Sequence, residues 1–200
     1  MGLLDKFKKK SFDNVKDEDI AKFTILMQGN QFGEALEFHE KNFNKSNEGF
    51  WYTRGNILTN LNRREESMKC YLKALEIKDT YIKAWFRLGT RYFEFGHFRK
   101  ACDAFVKTST LERKIGENEW NTLSTFYYMM SLYLEYENTQ DETIKNKIPN
   151  QIRKLRKVID VESNTSDEQF LKFCSENFQN IVDELEPKIV TEFRHPDSKN

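Results

Sequence analysis

Three histidines, three cysteines and many carboxylates are the side chains of this 200-residue sequence that could do chemistry. A histidine or thiolate can ligate a metal or attack an electrophile, but only with partners placed at short range. His39, His97 and His195 fall in a helical stretch, a turn and a tail, and no His-x3-His or Cys-x2-Cys pair occurs. Neither a Gly-rich phosphate loop nor a Gly-x-Ser-x-Gly elbow is present. The sequence therefore predicts no enzyme, no metal site and no cofactor.

Cys70, Cys102 and Cys174 are an odd number without ligand spacing. They read as buried free thiols in a reducing compartment. The 32 basic and 32 acidic side chains cancel. A neutral chain has no global attraction to nucleic acid, which argues against that partner. Residues 1–12 carry Leu3, Leu4 and Phe7 among Lys6, Lys8, Lys9 and Lys10, so weak contact with a membrane surface is the most this segment suggests. Lys6 stands where a myristoylation motif wants Ser or Thr. No secretory signal or spanning segment is recognisable, and the expected location is cytoplasmic.

What must position any functional side chain is a stretch said twice. Trp51, Gly55, Leu58, Ser67, Tyr71 and Ala74 recur as Trp85, Gly89, Tyr92, Ala101, Phe105 and Thr108, at a step of 34 (85 − 51). Trp85, Leu88, Gly89 and Tyr92 fall on one helical stripe. A glycine inside a helix costs about 1 kcal/mol relative to alanine, so Gly89 implies a neighbour too close for a side chain. Each copy reads as two amphipathic helices and a tight turn, a pair that buries its apolar face only by stacking on others. A third copy begins near Asn118 with Trp120, Leu123, Ser124 and Tyr127, a step of 35 from Trp85 (120 − 85). An earlier one, whose first helix lacks the Trp and Gly signatures, carries Phe23, Leu26, Ala35, Leu36 and His39, the histidine standing where an aromatic is expected.

This spacing resembles the tetratricopeptide repeat. The resemblance implies an all-α, right-handed α-solenoid of antiparallel helix pairs with a C-terminal capping helix. The expected organisation is a basic segment at 1–12 and a solenoid at 13–162, with units at about 17–45, 48–79, 82–113 and 117–160. A capping helix at 163–187 and a tail at 188–200 follow, with disorder expected from Arg194 to Asn200. Arg54 and Ser67 depart from the family's Leu and Ala. Pro149 predicts a kink or break in a helix over 143–158. Thr165 and Glu168 form a capping-box pattern for the last helix, whose stripe is Phe170, Phe173, Cys174, Phe178, Ile181, Val182 and Leu185. The cluster Arg153, Lys154, Arg156 and Lys157 reads as a solvated helix face.

The resemblance further implies a groove lined by the first helices. Its positions here are Tyr52, Asn56 and Thr59, then Lys83, Phe86, Arg87, Thr90 and Phe93, then Asn118, Asn121, Thr125 and Tyr128. Aromatic faces with amides and hydroxyls suit an extended or helical peptide. The implied function is a non-catalytic adaptor or scaffold with a protein or peptide partner. One subclass clamps acidic chaperone tails; Lys83 and Arg87 match one of its three parts, while Thr53, Ile20 and Thr24 stand where the others want Asn, Lys and Asn. That co-chaperone-like role, or self-association as a homodimer, is the alternative.

Overall fold

The computed structural model describes residues 15–116, 121–159 and 165–185, and among them every regular element is an α-helix. The segment 1–14, the tail from 186 and Trp120 with its three preceding residues lie outside the described residues. The helices are α1 (Asp17–Gln28), α2 (Phe32–Asn42), α3 (Glu48–Asn60), α4 (Arg64–Ile77), α5 (Ile82–Glu94), α6 (Phe98–Ile115), α7 (Asn121–Thr139), α8 (Glu142–Lys145), α9 (Ile148–Leu155), α10 (Asp167–Glu176) and α11 (Phe178–Leu185). They fall into two compact units, one ending at Ala84 and the other beginning at Trp85.

In the first unit, Asp17, Glu18 and Asp19 fill the first turn of α1, where carboxylates favour the positive end of the helix dipole. The Asn47 side chain caps α3 by accepting from the Phe50 amide at 2.8 Å. α3 packs on α4 around Gly55. A Cβ built there would lie 2.5 Å from Cε1 of Tyr71, so the glycine is required by the ring that fills its place. Phe23, Leu36, Phe50, Ile57 and Leu58 form the centre of the core.

His39 takes the expected aromatic position. It is fully buried, stacked on Phe43 at 4.9 Å and on Phe50 at 4.4 Å. Burial, with Arg54 and Lys45 nearby, pushes its pKa down to about 3, so the ring is neutral and serves as packing. Arg54 departs from the family's Leu because it has a polar task. Its guanidinium donates to Glu40 Oε1 at 2.8 Å and to Cys70 Sγ at 3.1 Å, tying α2, α3 and α4 together.

The second unit repeats the scheme. A Cβ on Gly89 would lie 2.8 Å from Cε1 of Phe105. α6 ends at Gly116, left-handed at φ 73°. In α7, Ser124 stands where glycine is expected, and its hydroxyl lies 3.2 Å from that of Ser109 in α6. A small polar contact replaces the ring-over-glycine contact.

Three local expectations are refined. Of the kink or break expected in 143–158, the structure has the break: α8 ends at Lys145, and Pro149 sits in the first turn of α9, where its missing N–H leaves nothing unsatisfied. The cap of α10 is Ser166 rather than Thr165. Ser166 Oγ accepts from the Gln169 amide at 3.2 Å, and Gln169 Oε1 accepts from the Ser166 amide at 2.8 Å. The C-terminal stripe is divided at Asn177 into α10 and α11.

Candidate functional site

The first-helix surface of the first unit is built on Tyr71. Its hydroxyl donates to Asn56 Oδ1 at 2.9 Å and lies 3.0 Å from Thr59 Oγ1, which also bonds the Gly55 carbonyl at 3.0 Å. The first of these bonds orients the Asn56 carboxamide, with its oxygen towards Tyr71. Asn56 and Thr59 are half-buried. Tyr52, by contrast, is 6 % exposed and packs edge-on against Tyr81 at 5.4 Å. Of these three predicted residues, Asn56 and Thr59 retain accessible surface, while the Tyr52 ring lies 6.1 Å from that of Tyr71.

In the second unit the predicted residues separate. Phe86 has no exposed surface, and its ring meets Phe105 at 5.8 Å and Tyr127 at 6.0 Å. Thr90 is buried and donates to its own helix at the Arg87 carbonyl, 2.7 Å away. Arg87 is half-buried on α5, as is Lys83, which belongs to the first unit. Phe93 stacks flat on Phe178 of α11, centroids 5.2 Å apart and planes 5° apart. Asn121 and Thr125 line a cavity of about 350 Å³ with Ser109, Arg113 and Lys154. Tyr128 lines a different cleft, of about 670 Å³, with Cys102, Val106, Leu132 and Ile144. Burial raises its hydroxyl pKa. Asn118 lies outside the described residues.

The aromatic neighbour of Phe86 and Phe93 on α7 is therefore Tyr127, not Tyr128. Tyr127 is 5.4 Å from Phe93, 5.3 Å from Phe105 and 5.5 Å from Phe178. Sequence reasoning gave Tyr127 to repeat packing and Phe178 to a capping stripe, and no periodicity marks that they meet. At the other two clamp positions, Thr53 is buried, and Thr24 donates to the Ile20 carbonyl at 2.8 Å.

Little here can do covalent chemistry. The thiols of Cys102 and Cys174 are pushed up to about 12 by burial, and burial raises Cys70 as well, so all three are protonated and poor nucleophiles. Among the described residues no group of three His, Cys, Asp or Glu side chains is placed to hold a metal. None of the described helices is long and apolar enough to cross a membrane. Arg156 of the basic cluster donates to the Thr165 carbonyl at 2.7 Å and lies over the Phe170 ring at 4.7 Å, so it clamps α10. Arg153, Lys154 and Lys157 are exposed.

Residues 49–81, α3 and α4, match the family model described as tetratricopeptide repeat. The MamA protein has a similar fold, with a TM-score of 0.51 at 15 % identity, covering 68 % of this chain and 72 % of that one. The matched segment carries a tetratricopeptide repeat, and each unit is all-α and built of antiparallel helix pairs. Among curated proteins, the peroxisomal targeting signal receptor of Candida albicans is 30 % identical over 74 residues, 37 % of this chain and 12 % of the receptor. That of Saccharomyces cerevisiae is 28 % identical over 102 residues, 51 % of this chain and 16 % of the receptor. The matches thus span a small part of the receptors' length.

Proposed function

We propose that this chain is a non-catalytic interaction module, an adaptor or scaffold that binds a peptide or helix on its first-helix surfaces. The observation that carries this reading is the oriented carboxamide of Asn56, fixed by Tyr71 and beside Thr59. An amide held in one orientation gives up little freedom on donating to a peptide carbonyl, and pre-organisation of this kind raises affinity. Protonated thiols and the scattered histidines support a binding role over a catalytic one. Similarity to receptors named for a targeting signal fits peptide recognition. Free thiols fit a reducing, cytoplasmic setting.

A displayed peptide library screened against the intact protein tests the proposal. Selected peptides should bind with dissociation constants in the micromolar range or below. Asn56→Ala should weaken them about tenfold, the size of one lost charge-free hydrogen bond whose partner stays buried. If no peptide is selected, or if Asn56→Ala and Arg87→Ala leave every selected peptide unaffected, the reading fails.

A further inference from the structure

The C-terminal helices of the second unit are attached in two different ways. α10 is locked. Phe170 and Cys174 are fully buried, and Arg156 both bonds the cap region and covers the Phe170 ring. α11 follows a break at Asn177 and is held by apolar contacts at Phe178, Ile181 and Val182. The Phe178 ring bridges two first helices: it lies parallel to Phe93 of α5, and 5.3 Å from Phe126 and 5.5 Å from Tyr127 of α7. The outer face of α11 is polar, with Gln179, Asn180, Asp183 and Glu184 exposed. An isolated helix needs about 12–15 residues to be even marginally stable, and α11 has eight. It is helical because it is docked.

We infer that α11 is a tethered occupant of the α5–α7 surface, and that this surface accepts in its place an amphipathic helix from another protein. That helix would carry an aromatic residue followed three and four positions later by aliphatic ones, as Phe178, Ile181 and Val182 do. The inference rests on the binding role proposed above and adds to it a ligand class and a built-in competitor. The occupant defines the chemistry: a flat ring to stack on Phe93 and meet Tyr127 edge-on, then two branched side chains on the same helical face. A competitor joined by a short stretch of chain acts at a high effective concentration, so an external helix binds weakly until α11 is released.

The test uses the full-length protein and a fluorescent, end-capped peptide reproducing residues 176–185. Phe178→Ala in the protein removes the anchor of the competitor and should tighten peptide binding at least tenfold over wild type. The same change in the peptide should abolish its binding. Equal affinity of wild type and variant, or no peptide binding to a variant that circular dichroism shows folded, overturns the inference. If the variant does not fold, hydrogen exchange on wild type decides. α11 amides should exchange much faster than those of α10, and faster still with peptide; equal protection in the two helices overturns it. A wild-type dimer lost on Phe178→Ala would assign the surface to a second copy and also overturn it. Library peptides that bind wild type and variant equally would remove this inference while leaving the interaction module in place. Peptide capture by the variant with no ligand ever selected for wild type would support the tethered occupant and count against the open Asn56 surface.

Discussion

Beside Gly55 the space is filled by Tyr71, whose hydroxyl orients Asn56 and meets Thr59. Thirty-four residues on, Phe105 fills the space beside Gly89, with no hydroxyl to place. The positions matching Asn56 and Thr59 are then Thr90, bonded to its own helix, and Phe93, stacked on Phe178. Packing is shared and surface chemistry is not. One oxygen at the packing position goes with a polar, partly open first-helix surface, and its absence goes with an aromatic one that the chain covers with α11. The repeat thus fixes where side chains stand, and the residue that fills the glycine gap decides what the neighbouring surface can offer.

If the packing roles are equivalent, Tyr71→Ala and Phe105→Ala should each lose about 3–5 kcal/mol of stability in urea unfolding. A variant that loses under 1 kcal/mol while its counterpart collapses would break the comparison. Next in size, Gly55→Ala and Gly89→Ala should each cost about 1–3 kcal/mol, because the new Cβ must displace a buried ring. Wild-type thermal stability would expose either being tolerated.

His39 sharpens the contrast with Phe105 through pH. Its folded pKa, about 3, is depressed from 6.5, so between those values the unfolded chain binds the extra proton. Stability is full above pH 6.5 and falls as pH drops towards 3, by up to about 1.4 kcal/mol per pH unit from this group. His39→Phe should remove that part of the slope in denaturation curves taken from pH 7.5 to 5; an unchanged slope would show that the ring is hydrated. The smallest effect is Tyr71→Phe, which should cost about 1 kcal/mol and leave the fold intact. It should also free the Asn56 carboxamide to rotate, visible as a change in its side-chain amide resonances.

Much of the fold could be read before the structure, because the glycine–ring contacts impose a spacing that survives at Gly55/Tyr71 and Gly89/Phe105. The position of Asn56 and Thr59 on α3 follows from the same register. Phe86 and Tyr52 were misjudged in exposure: a position that faces ligand in a generic repeat is closed over here by large neighbours, Tyr127 in one case and Tyr81 in the other. Pairing of Phe178 with Phe93 joins residues far apart in sequence and has no period to reveal it. Ser166 rather than Thr165 caps α10 because the hydroxyl must reach the amide three residues on, and both spacings satisfy a capping pattern on paper.

The most direct measurement is the side-chain amide signal of Asn56 in a nitrogen–proton correlation spectrum, followed as a selected peptide is added to the wild-type protein. An interaction module of the kind described here predicts that this signal shifts progressively to saturation, with neighbouring α3 signals and not with those of the α4 outer face. Saturating binding that leaves the Asn56 carboxamide unmoved would contradict it.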